Sequence, residues 1–297
     1  MIRDVRQRIL EKMIEIDSLP ILPDIAFEIM SLSENDIRSM KQISDVVSRD
    51  PSVTAGILRV SNSAFYGLKK NVGSLDSALI ILGLREIKNI VFMMSLFKLF
   101  PHDGAFAFNK VDYLNHSIIT AVTANKLAHV LNIKFNSSPF ICGLLHDIGK
   151  ICLDQYAHLE FLAVIKETKK KNIFLYEAEQ QILGIDHAEI GGIMSKIWHF
   201  PDEISDAIKY HHSEIKDLSD TPMISIIKLA NLLTNSRKIG IVQTTKGMDI
   251  KNNPGWIELE KNTPYFDKID IEKVFFEVDD DLKNSQEVIR MYSSKFF

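Results

Sequence analysis

Apolar side chains recur at every third or fourth position along most of the chain, the spacing that lines one face of an α-helix. Alternating runs rich in β-branched residues and Asn-Gly hairpin turns, which would indicate strands, are absent from the sequence. The pattern therefore predicts an all-α fold. Five or six helices are predicted before residue 101, and seven more over residues 111–131, 139–153, 158–170, 175–183, 187–198, 202–212 and 222–236.

Residues that favour helix ends mark several boundaries in the first hundred positions. Asp50 and Ser74 are predicted N-caps, because each directly precedes a helical pattern. Ser39 with Gln42 three positions later predicts a capping box. Gly83 is predicted to end one short helix before a long apolar helix begins.

The best internal boundary is the segment 101–104, Pro-His-Asp-Gly, which interrupts the helical pattern. We therefore expect an amino-terminal helical subdomain over residues 1–101 and a second helical subdomain over residues 102–240. The pattern weakens over residues 241–297, which we expect to form an extension that packs back on the body. The sequence shows no repeat period that would indicate a helical solenoid.

The composition is that of an ordinary soluble globular protein. With 297 residues, of which 46% are apolar and 25% charged, the chain can bury a full core. Its first residues lack the uninterrupted apolar stretch of a secretory signal, and its most apolar segment, residues 90–97, is too short to span a bilayer. We expect a cytoplasmic protein with no membrane span.

Cysteine usage and charge argue against two further classes of protein. Cys142 and Cys152 have neither the spacing nor the partners of a disulfide framework or a thiolate zinc site. The net charge is −4, and the basic cluster at residues 169–171 is short and contains no aromatic residue. Autonomous nucleic-acid binding is therefore not expected.

The stretch Gly-Leu-Leu-His-Asp-Ile-Gly-Lys, residues 143–150, carries the candidate chemistry. Ser138, followed by a proline, predicts the start of its helix, so His146 and Asp147 are expected on a mostly buried element. Adjacent helical residues point about 100° apart. The two side chains could therefore share an ion only at the flank of the helix, where neighbouring helices would supply more ligands.

Further candidate ligands lie on the inward faces or at the ends of other predicted helices: His116, His187, His211, His212 and Asn231. Together with His146 and Asp147 they could converge in one helical core. Imidazole and carboxylate suit iron, manganese or zinc, and such ions activate water for phosphoester hydrolysis. Lys150 could then stabilise negative charge on the phosphate.

Two interpretations of this cluster remain open. The number of carboxylates is low, because Asp147 is the only acidic candidate and Asn231 offers a neutral amide, a weak ligand for these ions. The cluster either binds a metal ion or forms a hydrogen-bonded network that fixes the packing of the helices.

The order and approximate spacing of His116, His146-Asp147, His187 and His211-His212 resemble those of the HD-domain metal-dependent phosphohydrolases. The first half of the chain narrows this resemblance to the HD-related output domain family, HDOD. The segments similar to that family are Leu-Pro-Ile-Leu-Pro at 19–23, the block from Asp-Pro to Asn-Ser-Ala-Phe-Tyr-Gly at 50–67, and Ala-Leu-Ile-Ile-Leu-Gly-Leu at 78–84. The resemblance covers about residues 16–212.

The resemblance implies an amino-terminal helical bundle packed on a degenerate HD-like helical bundle. It also implies a bacterial signalling protein, since HDOD proteins are regarded as regulators without a demonstrated common enzyme activity. Asn231 stands where the catalytic HD pattern has its final aspartate, and no Gly-Tyr-Pro motif of the cyclic-di-GMP phosphodiesterases follows His212. No receiver or cyclic-dinucleotide domain fits in the remaining tail, so a stand-alone member is expected.

These observations favour a non-catalytic regulatory protein that acts by binding an unidentified signalling protein, with its oligomeric state left open. The alternative is a metal-dependent phosphohydrolase that acts on a nucleotide or a cyclic dinucleotide. In that case the ligands would be His116, His146, Asp147, His187 and either His211 or His212, with Asn231 at the degenerate position. Lys150 would be the catalytic residue that contacts the phosphate.

Overall fold

The structure of the protein is a computed structural model that describes residues 2–14, 24–30, 32, 37–63, 66–69, 71–99, 106–214, 221–242, 249–264, 266, 269–270, 273–274 and 276–277. Over these ranges the chain forms fourteen helices and no strand, so the predicted all-α class is confirmed. The helices are α1 (Ile2–Ile14), α2 (Asp24–Met30), α3 (Ile37–Ser48), α4 (Pro51–Ser61), α5 (Leu75–Lys98), α6 (Lys110–Val130), α7 (Pro139–Leu145), α8 (Gly149–Tyr156), α9 (His158–Lys171), α10 (Leu175–Leu183), α11 (His187–Ile197), α12 (Asp202–Tyr210), α13 (Thr221–Ser236) and α14 (Pro254–Asn262).

One compact unit contains residues 20–104 and 279–297, and its described helices are α2 to α5. Asp50 and Ser74 cap α4 and α5, because their side chains accept hydrogen bonds from backbone N–H groups of the first turn, as predicted. Gly83 breaks α5 with a φ of 80°, which confirms the predicted helix end there. The capping box at Ser39 is wrong, since α3 begins at Ile37 and places Ser39 inside the helix.

The block over residues 50–67 ends in a turn that is fixed by side-chain hydrogen bonds within this unit. The Asn62 amide nitrogen donates to the carbonyl oxygen of Val72 at 2.9 Å, and the Val72 N–H donates back to Asn62 Oδ1 at 2.7 Å. The Tyr66 hydroxyl donates to Glu86 at 3.1 Å, and Gly67 adopts a left-handed φ of 55°. Asn62, Tyr66 and Gly67 of the Asn-Ser-Ala-Phe-Tyr-Gly segment thus have structural roles, while Ala64 and Phe65 lie outside the described residues.

The other compact unit contains residues 1–19 and 105–278. At its centre α6 packs against α7 and α13, while α8 and α12 both pack against α11. The helices α9 and α10 pack against each other, and α14 packs on α13. This unit contains all seven candidate ligands.

The helix α1 lies in this second unit, although the sequence placed it in a subdomain over residues 1–101. Its side chains explain the difference, because Ile9 and Met13 are buried and α1 packs against α8 and α10. The Arg6 guanidinium donates to the carbonyl oxygen of Gly184 at 2.8 Å and pairs with Glu189. These contacts join the start of the chain to the corner between α10 and α11.

The predicted helix over residues 139–153 is instead two helices, α7 and α8, separated by a tight turn at residues 146–148. Within this turn the Ile148 N–H donates to Leu145 and the Lys150 N–H donates to Asp147, which are bonds to the third residue back. Within the segment 241–297, where the sequence pattern weakens, α14 begins at Pro254, because Asn253 caps the helix and Pro254 occupies its first turn.

Two glycines allow backbones to approach closely around this turn. A Cβ atom added to Gly143 would lie 2.7 Å from the Cα atom of Ala121 on α6. One added to Gly149 would lie 2.0 Å from the carbonyl oxygen of His187 on α11. The two helices that flank His146 and Asp147 are therefore held at near-contact distance from their neighbours.

Among the helices of the described ranges, none combines the length and the apolar character that crossing a membrane requires.

Candidate metal centre

All the histidines predicted as ligands meet at Asp147 in two groups. Atoms of His116, His146 and Asp147 lie within 4.8 Å of one another, and so do atoms of Asp147, His187, His211 and His212. We call the first group half A and the second half B. The carboxylate of Asp147 faces both, since Oδ2 lies 3.3 Å from His116 Nε2 while Oδ1 lies 3.1 Å from His187 Nε2.

Each side chain reaches the centre from a different element. His116 comes from the middle of α6, and His146 and Asp147 come from the tight turn between α7 and α8. His187 is the first residue of α11, which Asp186 caps by accepting a hydrogen bond from the Glu189 N–H. The sequence pattern predicted a helix that continues through His212, but α12 ends at Tyr210 and the His211-His212 pair follows it. Helix ends thus supply most of the cluster.

In four of the histidines, Nδ1 is held by an acceptor outside the cluster. The acceptors are the carbonyl oxygen of Ile239 for His116, of Gly143 for His146 and of Ile208 for His211, and the carboxylate of Glu179 for His187, at distances of 2.6–2.8 Å. An acceptor at Nδ1 requires an N–H there, so in each ring that is neutral Nε2 presents its lone pair to the centre. This arrangement is typical of metal-binding histidines.

Sequence reasoning missed Glu179, which brings a second carboxylate to the site. Glu179 is fully buried on α10, and its Oε2 accepts hydrogen bonds from both the backbone N–H and Nδ1 of His187, at 2.9 and 2.6 Å. Among the described residues Asp147 remains the only acidic member of the two groups, but Glu179 adds a negative charge directly behind His187. The sequence did contain a signal for Glu179, because it lies four residues before Leu183 and therefore on the same inward face of a predicted helix.

Burial and charge decide the protonation of these groups. Burial alone would raise the pKa of Asp147, but His146 and Lys150 hold that pKa well below its usual range. Burial lowers the pKa of His146 to about 3 and depresses those of His211 and His212. His187 differs: burial lowers its pKa, but the charge of Glu179 and the hydrogen bonds to Asp147 and Glu179 together outweigh burial and raise that pKa to about 9. Burial also lowers the pKa of His116, so at neutral pH four of the five rings offer lone pairs.

Lys150 and Asn231 both lie on the side of half A. The Lys150 ammonium donates a hydrogen bond to Asp147 Oδ2. Asn231 lies beside His116, and its Oδ1 accepts a hydrogen bond from the side-chain amide of Asn235 at 2.7 Å. The structure thus places every predicted site residue around one carboxylate.

Unpartnered polar atoms allow the fit of a metal ion to be tested. Among the described residues, Asp147 Oδ1 and His211 Nε2 are buried and lack a hydrogen bond of good geometry, although they lie only 3.8 Å apart. In half A, the two lone pairs on His116 Nε2 and His146 Nε2 face each other at 3.3 Å. A buried polar atom without a partner is destabilising. A cation among these atoms would satisfy them, so the cluster could hold a metal ion.

A pocket with a cavity volume of about 50 Å³ opens beside the cluster, and His116, His187 and His212 line it. Lys150, His212 and Asn231 line its polar side, and Ile241 and Val242 line part of its apolar side. The Tyr176 ring stacks on the His212 ring with a centroid distance of 4.3 Å. A small ligand could therefore reach the histidines from this pocket.

A sequence profile of the HDOD domain matches residues 19–214 of the chain. The fold is similar to that of an HDOD domain protein of unknown function from Geobacter sulfurreducens, with a TM-score of 0.81, 23% identity and coverage of 100% of this chain and 99% of that one. A candidate signal transduction protein from Marinobacter aquaeolei gives a TM-score of 0.74 and 20% identity over 98% of this chain and 65% of that one. A candidate phosphohydrolase from Shewanella amazonensis gives a TM-score of 0.72 and 21% identity over 96% and 98%.

At these identities the solved structures establish the shared fold alone. The chain spans 20–42% of the length of the curated relatives that it matches, which is less than half of each.

Proposed function

The chain belongs to the HDOD domain family, and on this premise we propose that it is a cytoplasmic regulatory protein of signal transduction, built around a metal centre at Asp147. The observation that carries the metal centre is the pair of buried, unpartnered atoms, Asp147 Oδ1 and His211 Nε2, that face each other at 3.8 Å. A purely structural polar network would pair such atoms with each other or with neighbours. Here no hydrogen bond of good geometry reaches either atom, although His187 Nε2 lies 3.1 Å from Asp147 Oδ1.

The regulatory role is favoured over catalysis by the chemistry of half A. Asn231 offers an amide where a carboxylate would strengthen a metal site, and its oxygen already accepts a hydrogen bond from Asn235. The candidate signal transduction protein from Marinobacter aquaeolei, which shares this fold, supports the same role. In this proposal, the bound metal ion fixes the positions of α6, α11 and the turns at 146–148 and 211–212. A partner protein then binds the surface of the unit that these elements form.

The second candidate function is a metal-dependent phosphohydrolase, and the pocket favours it. Lys150 lines the pocket directly beside the cluster, where its ammonium could bind a phosphate oxygen. Iron, manganese or zinc bound to the histidines would polarise the phosphoryl group and lower the pKa of water. The chain's own residues would bind the phosphate through Lys150 and Asn231 and orient each imidazole through its Nδ1 hydrogen bond.

The experiment that tests the proposal compares two buried aspartates. We would measure metal content by plasma mass spectrometry in untagged protein purified without a chelator, and then the hydrolysis of bis(4-nitrophenyl) phosphate. We expect near-stoichiometric iron, manganese or zinc that is lost in Asp147→Asn and retained in the matched control Asp154→Asn. Asp154 is also buried, but it contacts Ala107 and His158 rather than the cluster.

Metal content that is equal in the parent protein and Asp147→Asn would refute the metal centre. Hydrolysis that is present in the parent and in Asp154→Asn, but abolished in Asp147→Asn, would refute the non-catalytic role and establish the phosphohydrolase instead.

A further inference from the structure

We propose that the two halves of the centre are unequal, so that the first ion binds in half B, and that Lys150 is the residue that disfavours an ion in half A. This inference rests on the proposed metal centre. It specifies where that centre fills first and which side chain decides the order.

Half B has the atoms that lack partners. Asp147 Oδ1 and His211 Nε2 both lie in it, and each is completely buried. The remaining ligand atoms surround them, because His187 Nε2 lies 3.1 Å from Asp147 Oδ1 and 3.1 Å from His212 Nε2. Four ligand atoms at a tetrahedral zinc ion, with bonds of about 2.1 Å, would lie about 3.4 Å apart. The observed separations of 3.1, 3.1 and 3.8 Å are close to that value.

Half A has comparable geometry but contains the Lys150 ammonium, which is not a ligand and would keep its charge beside a bound ion, whereas His187 in half B would release its proton on binding one. His116 Nε2, His146 Nε2 and Asp147 Oδ2 are separated by 3.3–3.4 Å, so spacing alone would accept an ion there too. The Lys150 ammonium, however, is hydrogen-bonded to Asp147 Oδ2. An ion on that oxygen would lie next to a like charge in a buried site, where Coulomb repulsion is strong. The neutral Asn231 supplies no negative charge that would offset this repulsion.

The groups that hold the Nδ1 atoms of the histidines also favour half B. Glu179 lies behind His187 in half B, and a carboxylate bonded to the far nitrogen of a metal-binding histidine raises the basicity of the near nitrogen. In half A, the Nδ1 atoms of His116 and His146 are held by neutral backbone carbonyls. A divalent cation is therefore stabilised by Glu179 in one half and repelled by Lys150 in the other.

The ligands of half B indicate the class of ion. Three imidazoles and one carboxylate oxygen suit zinc or iron(II), whereas manganese favours a set richer in oxygen ligands. Zinc is the convenient probe, because it has no redox chemistry.

The test uses full-length protein that is stripped with a chelator, titrated with Zn²⁺ alone and monitored by isothermal calorimetry. Thermal unfolding of each variant checks that it folds. We expect the parent to bind a first equivalent at least about tenfold more tightly than any second equivalent. His211→Asn should lose this tight equivalent and His116→Asn should retain it. Lys150→Met should tighten the second equivalent about tenfold or more, while Lys150→Arg, which keeps the charge, should not.

Failure of this inference and failure of the metal centre give different results. If the parent binds no zinc, and retains no iron or manganese as purified, the metal centre itself is wrong. If the parent binds zinc but loses the tight equivalent in His116→Asn and not in His211→Asn, the centre stands and the order of filling is overturned. If Lys150→Met leaves the second equivalent unchanged, the role of Lys150 is overturned. A variant that does not fold is replaced by its glutamine counterpart at the same position.

Discussion

Replacing Gly149 with alanine would place a methyl carbon 2.0 Å from the carbonyl oxygen of His187 and 2.8 Å from the backbone nitrogen of Gly191. Ordinary contact begins at 3.4 Å, so the His187 carbonyl would have to retreat by the difference, about 1.4 Å. Both obstructing atoms belong to the backbone of α11, and no rotation of a side chain can relieve the contact. The first turn of α11 must therefore move away from α8.

The expected cost follows from overpacking. Inserted methyl groups in a packed core destabilise by about 1–3 kcal/mol when side chains can adjust, and here they cannot, so we expect the upper limit of about 3 kcal/mol or more. A loss of that size lowers the melting temperature by roughly 6–12 °C. Because His187 is the residue displaced, zinc affinity should fall together with stability.

Differential scanning calorimetry and zinc titration of Gly149→Ala measure the two effects. Gly73→Ala is the matched control, because a Cβ atom there meets nothing within 4 Å. It should change stability by no more than about 0.5 kcal/mol. A Gly149→Ala protein with the melting temperature and zinc affinity of the parent would refute the close approach of α8 and α11.

Three further perturbations concern buried charges. Glu179→Gln keeps an oxygen acceptor for the His187 ring but removes the charge, so zinc affinity measured by titration should fall about 10–100-fold; unchanged affinity would contradict the role of Glu179. In metal-free protein, the pKa of His187 is raised to about 9. Its contribution to the free energy of unfolding is therefore complete below about pH 6.5 and falls by roughly 1–2 kcal/mol by pH 8. Urea unfolding measures this contribution, and Glu179→Gln should reduce its dependence on pH. The lowered pKa values of His116, His146, His211 and His212 act in the opposite direction near pH 6.5, and that of Lys228, lowered to about 8 by burial, does so above pH 8. The test is therefore the difference in stability between the parent and Glu179→Gln, which should shrink from pH 6.5 to 8; a constant difference would contradict the pairing. Asp154→Ala leaves the Ala107 N–H without its acceptor and should lower the free energy of unfolding by about 1–3 kcal/mol. Asp154→Asn keeps an oxygen acceptor and should lower it less. Equal losses in chemical denaturation would count against this hydrogen bond.

Periodicity in the sequence predicted most helices, because burial of one helix face determines the spacing of its apolar residues. It failed at residues 146–148, where the pattern of α7 continues into α8 without a break. His146 and Ile148 keep right-handed helical backbone angles, so the tight turn differs from a helix only in which carbonyl each N–H reaches. Apolar spacing carries no information about that choice.

The histidines of the site were predictable because each lies at a helix start, a helix end or an inward face. Glu179 was not singled out, since its partnership with His187 depends on how the chain turns between α10 and α11. Arg6 illustrates the same limit, because its contact with Gly184 joins residues that are 178 positions apart. Local pattern determines elements, whereas contacts of this kind depend on the assembled fold.

The contact between α1 and the corner of α10 and α11 has a consequence for synthesis on the ribosome. Arg6 and Glu189 are separated by 183 positions, which at about 5–20 residues per second is roughly 10–40 s of translation. During that interval Ile9 and Met13, buried in the finished protein, have not yet met α10 and are available to chaperones. The helices α2 to α5, which contact one another, can meanwhile pack together. The helix α1 thus docks only after α8 and α10 have been made.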